Sequence, residues 1–88
     1  MNLEYAFIDY FCRLEILCFR KYKEESIESS FDKYLEHLNK TQRRKLLKLR
    51  KIKNSLFTCT YKGQLKPSNV DMLVEQIQNV QSVNIASP

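Results

Sequence analysis

The sequence predicts an all-α fold, a compact four-helix bundle, on three observations. One glycine and two prolines leave too little turn chemistry for a multi-stranded sheet. The apolar residues recur at helical rather than alternating spacing over most of the chain. Two stretches, Ser29-Ser30-Phe31-Asp32 and Ser68-Asn69-Val70-Asp71, carry the Ser-to-acid spacing of a helix capping box. The 88 residues suffice for one small core, so residues 1–82 are read as a single domain and 83–88 as a frayed tail.

The first helix is expected from Asn2 to about Lys23, a span without Gly or Pro. Leu3, Phe7, Tyr10, Leu14 and Leu17 make one apolar stripe; Tyr5, Ile8, Cys12, Ile16 and Phe19 make a second, with Phe11 between them. A surface helix needs one such stripe. This helix is therefore either central to the bundle, or packs into its own domain on one side and a partner on the other. Lys23 to Ser26 is a polar connector. Ser29 then opens a shorter helix carrying Phe31, Tyr34, Leu35 and Leu38. Asn39-Lys40-Thr41 supplies a turn and cap, and a basic helix runs from about Gln42 to Phe57. The β-branched Thr58-Cys59-Thr60-Tyr61 fray that helix and Gly63 breaks it. Pro67 and Ser68 start a last helix with Val70, Leu73, Val74, Ile77 and Val80 on its apolar face.

The net charge of +5 is placed unevenly. Arg43, Arg44, Lys45, Lys48, Arg50, Lys51 and Lys53 put seven cations into eleven residues and leave the rest of the chain slightly acidic. Such a patch suits RNA or an acidic protein surface, and a merely solvated helix face is the plain alternative. Lys53 departs from this pattern. It falls inside the apolar arc of Leu46, Leu49, Ile52, Leu56 and Phe57, where an unpaired cation is costly. Glu15 is its mirror image within the apolar arc of the first helix. The two violations cancel if the helices pack face to face, giving a polar cluster of Glu15, Lys53 and Asn54 joined by Arg50.

The order of these features resembles the HEPN superfamily of small helical domains over about residues 3–82. A long first helix with a Leu14-Glu15 step precedes a short helix, a leucine-punctuated basic helix ending in Arg-x-x-basic-Asn, and a capped final helix. The family's diagnostic motif is an Arg, then a polar residue, with a histidine a few residues on. The matching positions are Lys53, Asn54 and Thr58: Asn54 agrees, Lys53 softens the arginine, and Thr58 replaces the histidine. The resemblance implies metal-independent ribonucleases that dimerise around a shared cleft, in microbial conflict systems such as toxin–antitoxin pairs, abortive infection and phage defence. That chemistry needs a proton acceptor and donor near neutral pH, and histidine serves because its pKa is about 6.5. Threonine does not titrate there and lysine lacks the guanidinium fork, so the catalytic motif is degenerate and no residue is assigned as catalytic.

Other chemistry finds no support in the sequence. Cys12, Cys18 and Cys59 have neither disulfide nor zinc spacing, so no metal is expected and a reducing cytosol is the default compartment. No apolar run approaches a membrane span. A lone Gly63 makes no phosphate loop, and no cofactor is expected. His37 is read as a helix-terminal histidine, Asp32 as a capping residue, and Ser29, Thr41 and Ser68 as caps. Tyr22, Tyr34 and Tyr61 are core or rim aromatics that have the chemistry to stack on bases. The expected function is a catalytically degenerate binding module for RNA or a nucleoprotein, in phage or mobile-element conflict. A ribonuclease toxin and a docking subunit using the Tyr5, Ile8, Cys12, Ile16 and Phe19 stripe, as a homodimer or on a larger assembly, are the alternatives.

Overall fold

A computed structural model describes residues 2–86, and their side chains through residue 82. Four helices follow in order: α1 (Leu3–Tyr22), α2 (Ile27–Glu36), α3 (Lys40–Phe57) and α4 (Pro67–Ala86). They form an all-α four-helix bundle, and no strand occurs among the described residues.

Local chemistry sets each boundary. Asn2 caps α1 by accepting from the Glu4 amide at 2.8 Å. The helix closes on Lys23, whose left-handed φ of 50° lets its amide donate to the Phe19 carbonyl. α2 starts earlier than the Ser29 spacing indicates. Ser26 is its cap and Ser29 returns the hydrogen bond, a capping box one turn upstream of the expected one. Asp32 is consequently no cap; it lies inside α2 and faces α3. Asn39 caps α3, so Thr41 sits within the first turn rather than before it. α4 opens on Pro67, whose missing N–H costs nothing at a first helical position, and Ser68 falls inside the helix. α4 continues to Ala86 and so takes in most of the segment expected to fray; residues 87 and 88 lie outside the described residues.

α1 is the centre of the bundle, packing chiefly on α4 and α2 and less on α3. That arrangement accounts for the first stripe, while Tyr5, Ile16 and Phe19 of the second are left exposed. The deepest line takes Phe7 and Leu14 from the first stripe together with Phe11 and Cys18, while Leu3, Ile8, Tyr10 and Leu17 close the flanks. Phe31 and Leu35 of α2, Leu46 and Leu49 of α3, and Leu73 and Val80 of α4 complete the core. Gln76 is a polar member of that core, 1 % exposed, and its Oε1 accepts from the Tyr34 hydroxyl across α2 and α4. Phe57, assigned by spacing to the buried arc of α3, is 60 % exposed because α3 ends there beyond the cover of its neighbours.

Candidate functional site

The seven clustered cations of α3, from Arg43 to Lys53, divide by the side of the helix they occupy. Three are engaged within the fold. Arg43 donates from Nε to the Leu35 carbonyl at 3.1 Å and from Nη2 to the Leu38 carbonyl at 3.0 Å, covering the C-terminal end of α2. Arg50 donates to Asp32 at 2.8 Å and lies over the Phe31 ring. Lys53 donates to Glu15 at 3.1 Å. The other four, Arg44, Lys45, Lys48 and Lys51, are exposed and form no ion pair with an acid among the described residues.

The Glu15–Lys53 pair is largely withdrawn from water, with side-chain exposures of 11 % and 13 %. Lys53 also lies over the faces of Phe11 and Phe57, at 5.1 and 5.8 Å from their centroids. The structure thus brings Glu15 and Lys53 together but sends Arg50 to Asp32 instead. Asn54 is exposed on the rim of a polar depression of about 290 Å³ that also includes Glu28, Asp32 and both ion pairs. Thr58 caps the end of α3; its hydroxyl donates to the Asn54 and Ser55 carbonyls, both at 3.2 Å. His37 caps α2, edge-on to Tyr22, and lines a different depression beside Lys21 and Asn79. Lys53, Thr58 and His37 are therefore not assembled into one acid–base site.

A larger feature lies on the opposite side of α3. α3 and α4 make little direct contact, and between them opens a cleft of about 490 Å³. Lys45 and Lys48 line it from α3, Lys66 from the connector, and Tyr61 and Met72 form part of its wall. Tyr61 passes close to the chain's one glycine. A Cβ at Gly63 would meet the Tyr61 hydroxyl oxygen at 2.6 Å, so glycine leaves room for the Tyr61 side chain in this position. The glycine serves this close approach and not a left-handed turn; the left-handed positions are Lys23 and Cys59. Lys66 lies outside the dense charge run in sequence, and only the fold returns it to α3. Gln76 carried a signal, a polar residue at a core-facing helical position between Leu73 and Val80.

On α1, Tyr5, Ile16 and Phe19 are exposed, while Ile8 and Cys12 are half-buried. Cys18 is buried, and its thiol is pushed up to about 12 by desolvation first and the Glu15 carboxylate second. Burial likewise raises Cys12, with Glu15 adding to it. Among the described residues no group of three or more His, Cys, Asp or Glu gathers to hold a metal, and no helix is long and apolar enough to cross a membrane. In comparisons with known protein families, curated proteins and solved structures, no match was found.

Proposed function

We propose that the chain is a non-catalytic binding module, a degenerate HEPN-like domain whose outer α3 face holds RNA or a nucleoprotein in a microbial or phage conflict setting. The observation that carries this reading is the division of the cations. Arg44, Lys45, Lys48 and Lys51 lie exposed on one helix with no acid paired to them among the described residues. A fold with acids to spare elsewhere has no structural need of four mutually repelling cations there, and a polyanion supplies the missing countercharge. The ribonuclease alternative asks Lys53 to leave Glu15 and Thr58 to leave its capping bonds.

Titrating labelled RNA with the protein across a salt series tests the proposal. Affinity is expected to fall steeply with salt, and to fall again when Arg44 and Lys51 are reversed to Glu. Binding indifferent to both changes would remove it. Docking through α1 remains a second reading, supported by the 69 % exposure of Tyr5 with Ile16 and Phe19 on the same helix. It requires self-association that Phe19→Glu abolishes in sedimentation; a monomeric wild type argues against a homodimer.

A further inference from the structure

We infer that the cleft between α3 and α4 is a seat for one nucleotide of a single-stranded polynucleotide, with phosphates on Lys45, Lys48 and Lys66 and the base stacked on Tyr61. This rests on the reading of α3 as a polyanion-binding element and names the form of nucleic acid it takes.

Charge, shape and an aromatic platform coincide here. Three lysines from two separate elements converge on the cleft against one acid, Glu75, and none of the four forms an ion pair among the described residues. Lysines so placed repel one another, and their convergence becomes favourable when phosphate enters. The volume of about 490 Å³ lies in the range of small-ligand sites. Tyr61 supplies an aromatic surface in the same wall, half-buried and close against Gly63. Base-on-aromatic stacking combined with a cationic track is how unpaired strands are held without sequence readout. A duplex keeps its bases stacked inside and offers Tyr61 nothing but backbone. Phosphate contacts from lysine and base stacking on Tyr61 do not distinguish ribose from deoxyribose, so RNA and DNA single strands share this chemistry.

Fluorescence anisotropy with labelled oligo(U), oligo(dT) and a duplex of equal length tests the seat. Single strands are expected to bind more tightly than duplex, with a log–log salt slope of about −2 from three phosphate contacts. Tyr61→Ala and Lys66→Glu should each weaken oligo(U) about tenfold. Tyr61→Phe, which keeps the ring, should recover what Tyr61→Ala loses, and Arg44→Glu outside the cleft should cost less than Lys66→Glu. An oligonucleotide carrying 5-iodouridine should photocrosslink to the wild-type chain at Tyr61, a readout independent of whether Tyr61→Ala folds. Preference for oligo(U) over oligo(dT) identifies RNA as the source, and equal affinity identifies any single strand. If Tyr61 and Lys66 variants bind as wild type while Arg44 and Lys51 reversals weaken binding, the seat is wrong and the α3 reading stands. Equal or tighter duplex binding also overturns the seat. Absence of salt-dependent binding to every probe overturns both.

Discussion

Residues that break their helix's pattern carry the sharpest expectations in this molecule. Glu15 and Lys53 each lie where an apolar side chain is expected, and each is tolerable only because the other is 3.1 Å away. Removing one partner strands a mostly buried charge, so Glu15→Ala and Lys53→Ala should each cost roughly 2 kcal/mol, below the cost of breaking a fully buried pair. The double variant should lose less than the sum, with a coupling of about 1 kcal/mol in urea unfolding. Additivity within about 0.3 kcal/mol would mean the two charges are independently solvated. Cys18 makes a different demand. Its thiol rises from an ordinary 9.0 to about 12 because burial disfavours the thiolate. The folded state holds this proton after the unfolded chain has lost it. Its contribution is therefore whole below pH 9 and is lost as pH climbs from 9.0 toward 12, at no more than about 1.4 kcal/mol per pH unit. Tyr22 and Tyr34, also raised by burial, steepen the decline above pH 10. Urea midpoints from neutral pH to about pH 10.5 should show a fall that is shallower in Cys18→Ala, even though that variant starts lower.

At the scale of elements, what the sequence disclosed and what it hid follow from the range of the forces involved. Existence and order of the helices were legible because periodicity is written along each segment. Capping was legible in kind but misplaced in register: Ser26 and Ser29 both have a serine's chemistry, and in the fold Ser26 is the cap and Ser29 answers it. The Glu15–Lys53 pairing was legible as two complementary violations. The α3–α4 cleft was not, since Lys66 and Lys48 meet only through the path of the connector. Arg43 belongs with the hidden features. It reads as one more cation in a basic run, yet its guanidinium covers two carbonyls at the end of α2, Leu35 and Leu38. Hydrogen bonds from a charged donor are worth about 1.5–3 kcal/mol each, less where water competes. Arg43→Ala should therefore lower stability by about 1.5 kcal/mol, a fall of about 6–12 °C in midpoint for a domain of this size. Arg43→Lys should not restore it, because an ammonium cannot address two carbonyls through a planar fork. Full recovery by lysine would show that charge near the end of α2 matters and the bidentate geometry does not.

For the molecule as a whole, the proposed function sets stability against binding on the outer face of α3, and Lys48 is where the two meet. Arg44 lies four residues before it, Lys45 three before and Lys51 three after, so Lys48 neighbours all the other cations of that face. Like charges at these spacings are destabilising by about 0.2–0.5 kcal/mol per pair. No acid among the described residues pairs with any of the four to offset that cost. Lys48→Glu turns three repulsions into attractions, and the folded domain should gain about 1–3 kcal/mol at low ionic strength. The gain should shrink as salt rises and the Debye length contracts from about 30 Å at 0.01 M to about 3 Å at 1 M. Under the proposed function affinity for RNA should move the other way, since the same charge would meet phosphate on the α3 face and in the cleft. The other ion pairs also weaken with salt, so the informative quantity is the wild-type-to-variant difference in thermal midpoint at each salt concentration. A variant that is less stable than wild type at low salt would mean that the cations already find countercharge within the fold, and the case for a polyanionic partner would lose its physical basis.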